Sequence, residues 1–524
     1  MARPKPLLLV ILDGFGISLE REGNPVREAK TPVLNEIERN FPFTTLQASG
    51  IAVGLPWGEA GNSEVGHLTM GAGRVLYHHL PRIINSIYDG SFFKNEALLK
   101  AVNHAKKYNS SLHLAGLVSS GSVHSYIDHL YALLELARKE NVEKVYLHIF
   151  TDGKDAPPQE AAKFMKILGE RIVAEWPKVK FASIVGRFYA MDRDEKWDRV
   201  RIAYELLTEG QGAKISSLPD YLRSLYERGI TDEFIEPAFV SQSETSAGKP
   251  AYVSGNDALI FFNFREDSMR EITQSFADPA FDRFPREKIS ELLVVTMTEY
   301  QKNTGVLAAF HPLEVNWPLA RVLAEAGLKH LHIAETEKYA HVTYFFNGGI
   351  EKPYPYEERI LIPSRPAAHF DEAPEMSAPE ITQKIIENFD REDVFIVNFA
   401  NADMVGHSGN FKAAVKAVEV LDEQLGKIMN AVLNENGALL ITGDHGNIEL
   451  KRNPITGEKL TEHSLNPVPF YLVGKQFKLK KPRSDAEIAE EKTKVQGILT
   501  DIAPTIIELL EIKQPEEMSG KSLL

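Results

Sequence analysis

The sequence contains no cysteine. That excludes disulfides, thiolate metal sites and cysteine nucleophiles, so metal or covalent chemistry must come from carboxylates, imidazoles, amines and hydroxyls. Long hydrophobic runs are missing as well. The six apolar residues Leu7–Leu12, behind Met1-Ala2-Arg3-Pro4-Lys5-Pro6, are too few for a signal-peptide core with a cleavage site. No other stretch approaches the roughly 18–20 apolar residues of a membrane span. An excess of positive charge is also lacking. The 59 lysines and arginines against 73 aspartates and glutamates leave a net charge of −14, the wrong sign for general nucleic-acid binding. An anionic small molecule remains compatible, because a local basic pocket can sit on an acidic protein. Internal repeats and low-complexity tracts are absent. The expectation is a cytoplasmic protein acting on a small molecule, with no nucleic-acid or membrane partner.

What is present is ordinary for a globular chain, with 43% hydrophobic and 25% charged residues. A single core rarely grows beyond roughly 250–300 residues, so 524 residues predict two domains. Several short apolar runs stop abruptly at polar, chemically capable residues. Leu7–Leu12 ends at Asp13, Val145–Phe150 at Thr151-Asp152-Gly153, and Ala258–Phe262 at Asn263-Phe264-Arg265. Val394–Phe399 ends at Ala400-Asn401-Ala402-Asp403, and Ala438–Thr442 at Gly443-Asp444-His445. Buried parallel strands have this form, and α/β sheets hold ligands beyond the carboxyl ends of such strands. Amphipathic stretches at Tyr126–Lys139 and Phe411–Met429 repeat near 3.6 residues and predict intervening helices. The charged piece Lys480–Lys492 reads as a solvated segment. Chemically capable residues occur early and late with a different block between them, as expected of a domain inserted into a discontinuous one. Gly71-Ala72-Gly73 and the region Tyr300–Pro312 are candidate crossings.

The densest chemistry lies near the C-terminal end. Asp403 and His407 are four residues apart, which on a helix places both on one face. Asp444-His445 follows a predicted strand, and Glu462-His463 adds an imidazole in a loop. Mixed carboxylate and imidazole donors suit manganese, zinc, iron or cobalt better than calcium. A metal pair can clamp the attacking and leaving oxygens of a phosphoryl transfer. Two readings stay open for Ser63, in Gly61-Asn62-Ser63-Glu64-Val65-Gly66-His67. It suits a helix N-cap. Equally, a serine at a helix N-terminus meets N–H donors that favour a bound phosphate, and a metal on its oxygen would make it a nucleophile. Asp13-Gly14-Phe15-Gly16 is by itself no more than a turn after a strand.

Together these segments closely resemble the cofactor-independent phosphoglycerate mutases of the alkaline-phosphatase superfamily. Further matching segments are Val123-His124-Ser125, Asp152-Gly153-Lys154-Asp155-Ala156-Pro157-Pro158, Gly186-Arg187 through Arg193-Asp194, Asn263-Phe264-Arg265, Glu335 through Thr343, Gly443 through Asn447, and His463 through Pro467. The matches run in family order from residue 13 to residue 467. The resemblance implies an α/β fold of two domains. Residues 1–77 and 308–524 would form a discontinuous, phosphatase-like metal-binding domain, with a central, mainly parallel sheet flanked by helices. Residues 78–307 would form a smaller inserted α/β phosphotransferase domain that binds substrate.

The resemblance further implies one metal on Asp13, Ser63, Asp444 and His445, and a second on Asp403, His407 and His463. Both would be divalent, Mn2+ first, with Mg2+, Co2+ or Zn2+ as alternatives. His124, Lys154, Asp155, Arg187, Arg193 and Arg265 would contact substrate, and Lys338 would approach the phosphate or the bridging oxygen. The implied reaction interconverts 3-phosphoglycerate and 2-phosphoglycerate in a monomer. Ser63 takes the phosphoryl group, glycerate reorients, and Asp155 serves as base for its hydroxyls, with water kept out. Two positions depart from the family pattern. Lys154 stands where arginine is usual, and Ser268, in Arg265-Glu266-Asp267-Ser268, stands where a phosphate-binding arginine is usual, with Arg270 as the nearby substitute. A phosphatase or another phosphomutase of the superfamily is the rival enzyme reading. A catalytically dead binding protein would be expected to have lost Ser63 or one of the six carboxylate and histidine ligands, and all are present.

Overall fold

A computed structural model describes residues 3–241, 251–302, 304–365, 369–453 and 455–524. The chain divides into two compact units, Met1–His78 with Leu313–Leu524, and His79–Pro312. The second crossing falls after Pro312 rather than after residue 307, because Leu307–Phe310 is a strand paired in parallel with Leu293–Thr298 and so belongs to the inserted unit.

The discontinuous unit is built on an eight-stranded sheet. Its order is Glu357–Ile362, His330–Glu335, Val394–Phe399, Leu7–Leu12, Ala438–Gly443, Val468–Val473, Phe43–Gln47 and Val495–Ile498. The first five strands run parallel, and Val468–Val473 is antiparallel to both its neighbours. Leu7–Leu12 lies at the centre and is wholly buried, which is why it reads as an unbroken apolar run rather than an alternating one. Successive side chains still point to opposite faces. Leu8, Val10 and Leu12 pack with Val418, Leu421 and Leu425 of the helix Phe411–Asn434. Leu7, Leu9 and Ile11 pack with Leu319 and Leu323 on one helix and Ile502 and Ile506 on another. Full burial of each such side chain contributes about 1.5–3 kcal/mol, so the strand that ends at Asp13 is among the most firmly held pieces of the unit. The helix Phe411–Asn434 starts at Asn410, whose side chain accepts from the Ala413 N–H. It runs to Asn434 rather than Met429, and Val432 continues the buried stripe.

The inserted unit carries its own eight-stranded sheet. Its order is Leu307–Phe310, Leu293–Thr298, Ala258–Phe261, Leu112–Leu117, Val145–Thr151, Val179–Gly186, Ala238–Val240 and Ala213–Ile215. All adjacent pairs are parallel except Val179–Gly186 with Ala238–Val240. The expected helix over Tyr126–Lys139 forms from Ile127 to Lys139. Lys480–Lys492 is more ordered than a solvated segment need be. Asp485–Thr493 forms a helix with a Ser484–Glu487 capping box and no buried residue. No helix among the described residues is long and apolar enough to cross a membrane.

Candidate functional site

In the discontinuous unit the capable residues gather at the carboxyl ends of the parallel strands. Asp13 follows Leu7–Leu12, Asp444 and His445 follow Ala438–Gly443, and Lys338 follows His330–Glu335. Asp403 and His407 lie on the helix Asn401–Ser408 just beyond Val394–Phe399. The four-residue spacing puts them on one face, with His407 Nε2 3.2 Å from Asp403 Oδ1. Ser63 opens the helix Ser63–Ala72, but it is not the cap. Asn62 caps the helix by accepting from the Val65 N–H, and that leaves the Ser63 hydroxyl free for other partners. The hydroxyl oxygen lies 3.0 Å from Asp13 Oδ1 and 3.1 Å from His445 Nε2, and accepts from Lys338 Nζ at 2.7 Å.

Three carboxylates, Asp13, Asp403 and Asp444, converge here with almost no solvent exposure. Burial alone would raise the pKa of Asp13, but the Lys338 ammonium and His445 hold it well below the usual carboxylate range. Asp403 is also held well below that range: burial opposes ionisation, and hydrogen bonds from His407 and His463 and the charge of Lys338 outweigh it. Burial likewise disfavours a charged Lys338, yet Asp13, Asp403 and Asp444 together keep it protonated. Its Nζ lies 2.7 Å from Asp13 Oδ1 and 2.6 Å from Asp403 Oδ2. His445, although buried, is pushed up to about 9 by the same carboxylates.

The donor set fits a divalent cation. His407 Nδ1 donates to the Thr461 carbonyl at 2.9 Å and His463 Nδ1 to the Gly61 carbonyl at 2.8 Å. A carbonyl only accepts, so each Nδ1 carries a proton, and in the neutral imidazole each Nε2 turns its lone pair inward. These Nε2 atoms lie 3.1 Å apart, each 3.2 Å from Asp403 Oδ1. In that neutral form two lone pairs and a carboxylate oxygen face one another and repel unless a cation lies among them. Such edges suit neighbouring ligands of an ion bonded at about 2.0–2.1 Å. Asp444 Oδ2, fully buried, accepts no hydrogen bond among the described residues. Asp403–His445–His463 and Asp13–His67–Asp444 each bring three ligand atoms within 4.8 Å of one another. A third grouping, His330–His332–Glu357, fits less well because the Glu357 carboxylate already accepts from Asn347, the Tyr354 N–H and Arg359.

Some neighbours were not singled out as site residues from the sequence. His67 Nδ1 lies 2.8 Å from the Ser63 carbonyl and 3.3 Å from Asp444 Oδ2. Its i+4 spacing from Ser63 on the helix was an available signal. Asn398 donates from Nδ2 to Asp13 Oδ2 at 2.7 Å, and lies 3.0 Å from His67 Nε2. Asn447 donates to Asp403 Oδ1 at 2.7 Å.

The inserted unit brings a second cluster to the carboxyl ends of its own parallel strands. Arg187, which follows Val179–Gly186, bridges Asp152 Oδ1 at 2.7 Å and Asp155 Oδ2 at 2.6 Å. Its Nη2 donates to His124 Nε2 at 3.0 Å. An arginine only donates, so His124 Nε2 accepts and its Nδ1 carries the proton, toward Ser268 Oγ at 3.1 Å. Burial, then the charges of Arg187 and Arg265, push His124 down to about 4, so it is neutral at pH 7. Arg193 and Arg265 both donate to Asp267 Oδ2, at 2.7 Å and 3.1 Å. Lys154 is exposed. The three arginines are thus set against three aspartates, Asp152, Asp155 and Asp267, and the cluster is a paired network rather than a bare basic pocket. Of these aspartates only Asp155 was expected as a site residue. Arg270 stands apart from the network: its Nε donates to the Tyr300 carbonyl at 3.0 Å, and Ser268, almost fully buried, is the residue that reaches His124.

Residues 83–302 match the family model described as the BPG-independent PGAM N-terminus. The chain is 47% identical over 522 residues to a 2,3-bisphosphoglycerate-independent phosphoglycerate mutase of Moorella thermoacetica, covering 99% of this chain and 98% of that one. It is 48% identical over 524 residues to phosphoglycerate mutase 1 of the same type from Methanosarcina barkeri, covering 99% and 98%. Among solved structures, Leishmania mexicana phosphoglycerate mutase at low cobalt concentration matches with a TM-score of 0.52 and 30% identity, covering 99% of this chain and 97% of that one. With near-complete coverage at such identity, and a serine set among carboxylates and imidazoles at the strand ends, this chain belongs to the 2,3-bisphosphoglycerate-independent phosphoglycerate mutases.

Proposed function

We propose that this protein interconverts 3-phosphoglycerate and 2-phosphoglycerate through a phosphoserine at Ser63, with no bisphosphoglycerate required. The observation that carries the reading is the placement of Ser63 Oγ within 3.1 Å of Asp13, His445 and Lys338 at once. Asp13, Ser63, Asp444 and His445 would hold one divalent metal ion, and Asp403, His407 and His463 the other, with Mn2+ the first choice for this oxygen and nitrogen donor set. Such a pair supplies Lewis-acid stabilisation of the attacking and leaving oxygens. Lys338, kept protonated by the surrounding carboxylates, donates to Ser63 Oγ and so stabilises the alkoxide as it forms. Asp13 Oδ1, 3.0 Å away, accepts the hydrogen bond of the Ser63 hydroxyl and so orients it.

The substrate carries both a carboxylate and a phosphate, and each suits the planar fork of an arginine. Arg187, Arg193 and Arg265 are the residues proposed to bind it, with Lys154 adding charge. Those arginines are now paired with aspartates, so substrate anions would exchange with carboxylate partners, a trade that limits non-specific anion binding. The acceptor nitrogen of His124 is taken by Arg187 Nη2, so a substrate hydroxyl would reach it only in exchange for that contact. Asp155 is the proposed base that carries the proton between glycerate hydroxyls. The enzyme is proposed to act as a cytoplasmic monomer.

The test is to strip metal from the protein, add 3-phosphoglycerate, restore Mn2+ and follow both 2-phosphoglycerate and free phosphate without added bisphosphoglycerate. Formation of 2-phosphoglycerate supports the reading. Free phosphate as the sole product would make the protein a phosphatase of the same chemistry.

A further inference from the structure

Glu449 and Lys451 lie in the segment after Asp444-His445, and both are completely buried. The Glu449 carboxylate is unusually well occupied. Its Oε2 accepts from the Gly16 N–H at 3.0 Å and the Asn447 N–H at 2.9 Å. Its Oε1 accepts from the Ser464 hydroxyl and from Asn466 Nδ2, the latter at 2.9 Å. These four donors come from three different segments. Gly16 is three residues after Asp13, Asn447 two after His445, and Ser464 and Asn466 one and three after His463. The close approach is built into the sequence. A Cβ at Gly16 would overlap the Glu449 carboxyl carbon, and one at Gly446 would lie 2.7 Å from Glu449 Oε1. Lys451 ties in the remaining segment. Its Nζ donates to the Gly406 carbonyl, next to His407, at 3.3 Å, and to Asn447 Oδ1. With its oxygen taken, the Asn447 amide must turn its NH2 toward Asp403.

We propose that Glu449 is the positioning residue of the metal centre: a single buried carboxylate that holds the Asp13, Asp444–His445 and His463 segments in register for a divalent cation, with Lys451 joining the Asp403–His407 helix to the same point. The inference rests on the metal reading above. Glu449 touches none of the proposed ligands and acts through the backbone and loops that carry them. A charged acceptor suits this role better than a neutral one, because hydrogen bonds to an ionised group are about twice as strong and one carboxylate can serve all four donors. Its negative charge also balances the buried ammonium of Lys451.

The variant Glu449→Gln separates positioning from folding. The two backbone N–H groups on Oε2 cannot turn round, so the glutamine keeps its oxygen there. Its NH2 then faces Ser464 and Asn466, whose side chains can rotate to accept. The fold survives while the charge is lost and two charge-assisted ties become weaker neutral hydrogen bonds of reversed direction. Mn2+ binding to the full-length protein, followed by the EPR signal of the free ion, is expected to weaken at least about tenfold, with the far-UV circular dichroism of the metal-free protein unchanged. Wild-type Mn2+ affinity in a folded Glu449→Gln protein would overturn the proposal. Should that variant fail to fold, the Ser464→Ala/Asn466→Ala double variant removes only the tie to the His463 segment. Weakened binding supports the proposal, and unchanged binding overturns it. Absence of Mn2+ binding by the wild-type protein is a different result, and would overturn the metal reading itself.

Discussion

Lys338 Nζ lies 2.7 Å from Ser63 Oγ and 2.6 Å from Asp403 Oδ2, so one buried ammonium joins the proposed nucleophile to a carboxylate of the opposite ligand set. In the metal-free protein it offsets part of the negative charge of three buried aspartates, and in the proposed reaction the same proton donor would face the oxygen that must become nucleophilic. The two duties separate on substitution. Lys338→Met leaves Asp13 and Asp403 buried without their ammonium, so the metal-free protein is expected to lose about 3–5 kcal/mol of stability. Added Mn2+ should restore most of that loss, because it replaces the missing charge. Turnover of the Mn2+-saturated variant should still fall by about 10²–10³. Denaturant unfolding with and without Mn2+, beside steady-state rates, measures both. Equal stability loss with and without the ion would contradict the charge argument.

Arg187 tests the inserted unit. Its guanidinium reaches Asp152, Asp155 and His124 simultaneously, which a single ammonium cannot imitate. Arg187→Lys keeps the charge and loses the fork. The Michaelis constant for 3-phosphoglycerate is expected to rise about tenfold or more, at a cost of about 1.4 kcal/mol or more in a charge-assisted contact. A Michaelis constant within twofold of wild type would remove Arg187 from the substrate-binding set.

Acid stability follows from the buried histidines. Burial pushes His129 down to about 3; burial, with His332 and Arg359, pushes His330 down to about 2. The unfolded value is about 6.5. Below pH 6.5 the unfolded chain therefore binds protons that the folded protein refuses, and stability falls as pH drops toward the folded values. Each such histidine contributes a slope of about 1.4 kcal/mol per pH unit between about pH 6 and 4. His129 packs edge-on to Tyr126 and Phe264, so phenylalanine suits the site. His129→Phe should remove one such slope from the unfolding free energy over this range while leaving stability at pH 8 little changed. An identical pH dependence in the variant would contradict the assignment.

Much of this was legible in the sequence because parallel strands announce their ends. Asp13, Asp403 and Asp444 each close or closely follow an apolar run, and Asp403 with His407 has helical spacing. Other features were not legible because their signal is not periodic. Asn62 and Ser63 are both competent caps, and only the observed bond from the Val65 N–H distinguishes them. Asp152 and Asp267 are paired with arginines distant in sequence. Glu449 and Lys451 lie in an irregular segment where a charged residue ordinarily implies exposure, and only the convergence of three loops places them in the interior. The end of the inserted unit was misplaced by five residues because its last strand, Leu307–Phe310, is short and only partly buried.

The most direct measurement concerns Ser63. The Mn2+-loaded protein is mixed with 3-phosphoglycerate, quenched in acid within the first turnovers, digested and sequenced by mass spectrometry. The account predicts a phosphate on Ser63 that is absent, together with turnover, in Ser63→Ala. Mutase turnover retained by Ser63→Ala, or a phosphate trapped on another residue, would contradict it.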